Sequence, residues 1–220
     1  MEMLTETAIK GMCAYSFHTI VCVLSESKSV NYPSEFLQIS APLFVTWKIN
    51  NLKYSEPILR GCIGTFSSAP FQTLLSKYAI ISAFKDTRFP PIGAHELEHL
   101  HCTVSVLCNF ETITDPYDWI VGKHGVEIQF SYKGIPYSGT YLPEVAEEQK
   151  WTQKVALDKL LEKAGFSKPL SKVEKMTIKR YQSRKATLSY NEYVEYLKLH
   201  GGLFHEKEDI KLKFYNDDDY

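Results

Sequence analysis

Residues 42–66 read PLFVTWKINNLKYSEPILRGCIGTF. Leu43, Val45, Trp47 and Ile49 fall at every second position, the period of a strand with one apolar face. A polar connection over 50–57 follows, and residues 58–66 are expected to form a second strand that pairs with the first as a hairpin. Side chains two apart on a strand share a face. Arg60 and Cys62 are therefore expected on one side, with Leu59 and Ile63 on the other. A guanidinium beside a thiol favours the thiolate. Gly61 and Gly64 carry no side chain, so backbone or ligand can come close to this strand. The alternative is structural: Cys62 as a small buried hydrophobe, with glycines that permit a bulge.

Working outward, Ile9, Met12, Cys13, Phe17, Ile20, Val21 and Leu24 recur at helical spacing, which predicts a helix over 9–24. Residues 25–40 are polar and turn-rich and predict a loop. Phe71, Leu74, Leu75, Tyr78, Ala79 and Ser82 predict a second helix, with Ser68 as its cap and Pro70 in its first turn. Two prolines exclude helix over 88–94. Alternation of Cys102, Val104, Val106, Cys108 and Phe110 predicts a strand over 100–110. Strands at 126–130 and 137–142 flank a turn at Lys133 and Gly134. A helix over 151–164 stops at Gly165. A strand over 178–190 and a helix over 190–200 complete the pattern. Helices and strands are mixed without strict alternation, which predicts an α+β fold, a mainly antiparallel sheet with flanking helices. Residues 1–200 are expected to form one domain, and the acidic segment 201–220, closing with Asp217, Asp218 and Asp219, a flexible tail.

The chain has 220 residues, enough to bury a core without covalent staples. Its net charge of −1 gives no bulk attraction for nucleic acid or an anionic membrane. The five cysteines are odd in number and lack C-x-x-C spacing, which argues against a disulfide scaffold and for a reducing compartment. The N-terminus does not resemble a signal peptide, and no run approaches ~20 apolar residues, so no membrane span is expected.

Three further segments could carry chemistry. His95-Glu96-Leu97-Glu98-His99 matches HExxH literally, but prolines upstream and a strand downstream leave room for about two helical turns, and no third ligand is marked. No metal site is therefore assigned, and His101 falls on the polar face of the next strand. Seven basic residues and one acidic one occupy 168–185, opened by Lys168 and closed by Lys185. Such a run can contact nucleic-acid phosphates or form a solvated strand edge. Asp86 and Arg88 lie in a proline-stiffened loop, where they can pair or position an anionic group. Glu144 can serve as an acid or base, or place its charge in a helix's first turn.

The run LRGCIG over 59–64, followed by Thr65 and Phe66, resembles the signature of the AMMECR domain family, named for a human chromosomal region linked to Alport syndrome, midface hypoplasia and elliptocytosis. Four other blocks match in the same order: FVTW at 44–47, KDTRFPP at 85–91, YLPEVA at 141–146 and TLSY at 187–190. The match spans roughly 10–197 and fits the long, eukaryotic form of the pattern. The resemblance implies an α+β fold of two lobes with the signature near a groove between them. Members occur from archaea to humans with no established reaction, and some bacterial members are fused to Memo-like and radical-SAM domains. On this basis Cys62, Arg60 and Glu144 are the candidate catalytic residues, and Gly61, Gly64, Asp86 and Arg88 the candidate substrate-binding ones. A thiol, two guanidiniums and two carboxylates meeting in one groove would suit an anionic or amide-like substrate. No cofactor is identified. An enzyme-like domain is the leading expectation, and a non-catalytic binding or adaptor module of cytosol and nucleus the alternative. Its partner would be a small molecule or a protein, with nucleic acid through the basic run as a third option.

Overall fold

The computed structural model of this chain describes residues 5–25, 40–51, 53, 55–173 and 175–200. The expected loop over 25–40, except its two end residues, and the expected acidic tail over 201–220 lie outside the described residues. Six strands, β1 (Leu43–Ile49), β2 (Ile58–Thr65), β3 (Leu100–Ile113), β4 (Gly125–Tyr132), β5 (Ile135–Tyr141) and β6 (Met176–Ser189), hydrogen-bond in the order β2-β1-β3-β6-β4-β5, with helices between them in the chain. The chain divides into two compact units. One runs to Val106 and resumes at Lys185; the other is Leu107–Arg184. The boundaries fall inside the two longest strands, β3 (Leu100–Ile113) and β6 (Met176–Ser189). Both strands exceed the expected lengths.

In the first unit, helix α1 (Glu6–Leu24) starts at Thr5, whose hydroxyl accepts the Ala8 N–H at 3.1 Å. Such a cap contributes about 1 kcal/mol. The helix is buried on most sides, as expected of a central core helix. The Ser16 and Thr19 hydroxyls donate back to the Met12 and Tyr15 carbonyls, so neither polar group is left unsatisfied. By length and composition α1 could cross a membrane, which corrects the expectation that no segment approaches that length. Its burial within the unit accounts for its apolar character.

Strand β1 (Leu43–Ile49) keeps the alternation read from its sequence, with Leu43, Val45 and Trp47 fully buried. It pairs antiparallel with β2 (Ile58–Thr65) on one side and with β3 on the other. Helix α2 (Phe71–Phe84) covers the inner face through Phe71, Leu74, Leu75 and Ala79. Its N-cap is Pro70, not the expected Ser68; the Pro70 carbonyl takes the N–H groups of Thr73 and Leu74. Helix α5 (Tyr190–His200) returns to this core through Tyr193, which stacks on Phe17 at 5.2 Å.

In the second unit, β4 (Gly125–Tyr132) and β5 (Ile135–Tyr141) form the expected hairpin. Lys133 and Gly134 both adopt positive φ, 51° and 80°, as a two-residue turn between twisted strands requires. Strand β6 pairs antiparallel with the other edge of β4. Helix α4 (Gln153–Lys163) lays Ala156, Leu157, Leu160 and Leu161 into a core with Ile128, Phe130 and Phe166. Gly165 ends this helix with φ 86°, a conformation costly for any residue with a Cβ. Between β5 and α4 lies the short helix α3 (Pro143–Glu148).

Candidate functional site

Strand β2 is an edge strand, and its register carries the first departure from a simple period of two. Cys62 lies opposite Thr46 and Gly61 opposite Trp47, but Lys48 lies opposite Leu59. Arg60 is thus the extra residue of a β-bulge, which re-aims a side chain. Its guanidinium does not join Cys62. It donates to both Glu96 carboxylate oxygens at 2.8 and 2.9 Å, and to the carbonyls of Pro90 and Pro91 at 2.7 and 3.2 Å. This fork is nearly buried and staples the proline loop to the edge strand.

Glu96 also accepts the Gly93 N–H at 2.8 Å, and Arg60 holds its carboxyl below the usual carboxylate range. That is the role of the central glutamate in the HExxH match. The match lies on a six-residue 3₁₀ helix, Ala94–His99. At three residues per turn, side chains four apart diverge by about 120°. His95 and His99 therefore cannot share a face as a zinc pair must. Among the described residues no group of three or more metal-ligating side chains is close enough to hold an ion.

The cation near Cys62 is Arg88. Asp86 sits between them: one carboxylate oxygen accepts the Arg88 Nε–H at 2.9 Å and its backbone N–H at 3.2 Å. The other accepts the Cys62 backbone N–H at 2.9 Å and Arg88 Nη2 at 2.7 Å. Arg88 Nη2 then donates to the Cys62 carbonyl at 3.0 Å. The pair thus satisfies both outward backbone groups of Cys62, as a neighbouring strand would. Asp86 is buried, whereas the Arg88 side chain is 54% exposed. Hydrogen bonding to Asp86 chiefly raises the Arg88 pKa, with a smaller contribution from the Cys62 side chain.

Arg88 and the two backbone N–H groups bring the Asp86 pKa down from 3.8 to about 2 despite its burial. This difference corresponds to roughly 2 kcal/mol. The folded pKa is the lower one, so the stabilisation is complete above the unfolded value and is lost as pH falls toward 2. Asp86→Asn is expected to lower unfolding free energy at pH 7 by about 2 kcal/mol and to flatten the loss of stability between about pH 4 and 2. Urea midpoints at pH 7 and pH 3 check this. Equal midpoints for the two proteins at pH 7 would show that the clamp adds no stability.

The Cys62 thiol is half-buried, with Sγ 3.0 Å from the Thr46 hydroxyl. The other four cysteines are buried and form no disulfide. Thr46 lies opposite Thr103 on β3, and the Thr103 and Thr187 hydroxyls meet at 2.7 Å. A polar row of Cys62, Thr46, Thr103 and Thr187 therefore crosses four strands on the face away from α2. Along β1 the next outward residue, Lys48, lies opposite His101, whose ring bonds the Asn50 side chain at 2.9 Å. Burial pushes the His101 pKa down.

The glycines serve chain packing. A Cβ on Gly61 would lie 2.0 Å from the Ser82 carbonyl oxygen of α2. A Cβ on Gly64 would lie 2.3 Å from the Leu43 carbonyl oxygen of β1. Both spaces open toward backbone. Glu144 belongs to the second unit, in the first turn of α3, where Pro143 occupies the first helical position. Its charge there raises the pKa of Tyr181, though burial contributes more. In the basic run, Arg180 is held by Glu111 and Asp118, Lys179 lies 3.8 Å from Glu127, and Lys168 donates to the Tyr132 hydroxyl. Sequence reasoning missed the roles of Thr46, Thr103 and Thr187, and it read Glu96 only within the HExxH match and not as the partner of Arg60. The three threonines occupy the polar phase of their strands, a visible signal, but which of them meet depends on strand order.

The AMMECR1 family model matches residues 13–186. Uncharacterized protein At2g38710 of Arabidopsis thaliana is 40% identical over 201 residues, 90% of this chain and 92% of its own length. Uncharacterized protein C688.03c of Schizosaccharomyces pombe is 41% identical over 193 residues, 87% of this chain and 98% of its own. The crystal structure of uncharacterized protein PH0010 from Pyrococcus horikoshii superposes with a TM-score of 0.71 at 27% identity, covering 86% of this chain and 95% of that one.

Proposed function

We propose that this chain, which belongs to the AMMECR1 family, is an enzyme-like domain that acts through the Cys62 thiol on a small anionic or amide-like substrate. The observation that carries this reading is the half-buried sulfur at a sheet edge, 3.0 Å from the Thr46 hydroxyl, with the half-exposed Arg88 guanidinium clamped to the Cys62 backbone. A nearby cation favours the thiolate, which is the nucleophilic form. The Thr46 hydroxyl can donate to that thiolate, and the exposed part of Arg88 can meet a substrate anion. Arg60 is then a positioning residue that holds the loop carrying Arg88. Gly61 and Gly64 shape the strand, and Glu144 is a helix-terminus charge. Five cysteines that form no disulfide suit a reducing cytosol or nucleus.

Alkylation of the intact protein by iodoacetamide, mapped to Cys62 by mass spectrometry across pH, tests the reading. The rate is expected to reach half its plateau below pH ~8.5, the free-thiol value. Arg88→Ala is expected to slow Cys62 labelling at pH 7 several-fold, while Arg88→Lys, which keeps the charge, retains most of it. A rate that rises only at or above pH ~8.5 in the parent protein counts against a thiol mechanism.

A second reading is favoured by the polar row of one thiol and three hydroxyls that crosses β2, β1, β3 and β6. In that reading the polar sheet face docks a small acid or a peptide without chemistry. Thr103→Val would then abolish ligand retention, while Cys62→Ser would leave it intact.

A further inference from the structure

A second thiol, outside the site just described, lies beside an imidazole. Cys22 and His18 lie four residues apart on α1, hence on one helical face. Cys22 Sγ is 3.7 Å from His18 Nε2, and His18 Nδ1 is 3.1 Å from the Tyr193 hydroxyl of α5. Tyr193 is fixed in turn: it is 2% exposed and stacks on Phe17 at 5.2 Å. A thiol, an imidazole and an orienting phenol are thus in line, the arrangement that activates a nucleophile. The three residues belong to the same compact unit. Cys22 is 5% exposed and His18 is half-buried; Cys13 and Cys102 are 0% exposed, and Cys108 is 8% exposed, so exposure alone would favour Cys108 over Cys22.

We propose that Cys22 is a reversible thiol-modification site that reacts with small disulfides, with His18 as its base and Tyr193 as the group that orients His18. In the resting form the Cys22 S–H faces Nε2, and Nδ1–H donates to the Tyr193 oxygen. Transfer of the thiol proton to Nε2 gives a thiolate beside an imidazolium whose second N–H is already engaged. The thiolate attacks one sulfur of the disulfide; a Cys22 mixed disulfide forms as the original sulfur–sulfur bond breaks. The leaving thiolate takes the proton from the imidazolium and departs as a thiol. The incoming disulfide is the oxidant and is reduced by the same electron pair. A second small thiol reverses the step, as a reducing compartment would.

The probe is 5,5′-dithiobis(2-nitrobenzoate) applied to the full chain carrying Cys62→Ser, so that the proposed site does not compete. Released thionitrobenzoate is followed, and the mixed disulfide is mapped by peptide mass. Cys22 is expected to react first, at a rate linear in probe, well ahead of Cys13, Cys102 and the more exposed Cys108; Cys108 reacting ahead of Cys22 would overturn the proposal. His18→Gln is expected to slow the Cys22 reaction at pH 7 about tenfold or more and to move its pH profile upward. Tyr193→Phe keeps the core ring and is expected to slow it by a smaller factor. This second variant decides the matter if His18→Gln does not fold, as judged by circular dichroism. Labelling of Cys22 together with Cys13 and Cys102 would mean that the chain reacts only by unfolding, and the proposal falls. It falls equally if the folded variants react at the parent rate with the parent pH profile.

Discussion

Trp47→Ala is expected to lower the free energy of unfolding by about 3–5 kcal/mol, the range for removing a large buried aromatic. The indole is fully buried on β1, meets the Phe17 ring edge-on at 5.1 Å, and donates its N–H to the Ala79 carbonyl at 3.3 Å. It therefore joins the sheet to both α1 and α2 at one point. The substitution loses the transfer free energy of the ring, leaves a cavity and removes an aromatic pair. For a chain of this length the melting temperature should fall on the order of 10 °C. Trp47→Phe keeps an aromatic face toward Phe17 and should cost clearly less. Chemical denaturation of the two variants checks the order. Equal losses would show that the ring retained by phenylalanine contributes little and that the indole N–H and its extra ring carry the whole effect.

Gly61→Ala is expected to destabilise by about 3 kcal/mol, at the upper end of overpacking effects. The new methyl would stand 2.0 Å from the Ser82 carbonyl oxygen and 3.1 Å from its carbon. Both are backbone atoms of α2 and cannot rotate aside as a side chain could. The strand must retreat from the helix, and the adjacent Cys62 N–H then moves off the Asp86 carboxylate. The effect should thus appear twice: a lower denaturant midpoint, and a Cys62 alkylation rate that no longer responds to Arg88→Ala. A variant within about 1 kcal/mol of the parent would show that β2 and α2 do not press together at this point.

These two positions also show where sequence reading succeeded and where it stopped. Trp47 was legible because burial on one face of a strand leaves a period of two, and LFVTWKI carries it cleanly. The same logic applied to LRGCIG placed Arg60 beside Cys62. A bulge between Trp47 and Lys48 inserts one residue and cancels that inference. The glycines permit a bulge, as the sequence suggested, but they do not say at which residue it falls. Arg60 consequently meets Glu96 and the proline carbonyls, 30 and more residues along the chain, and Arg88 takes the place beside Cys62. Asp86 and Arg88 were recognisable as a pair because they are two residues apart, but their grip on the Cys62 backbone was not.

Local chemistry written along the chain determined the mixed helices and strands, the antiparallel hairpins and the identity of the thiol-bearing edge segment. These follow from periodicity, turn residues and the signature run, all of which act over a few residues. Tertiary structure alone decided which cation adjoins Cys62, which hydroxyls form its row and which phenol meets His18. Such pairings depend on strand order, a one-residue register shift and the packing of α1 against α5, and none of these is expressed by residues close together in sequence.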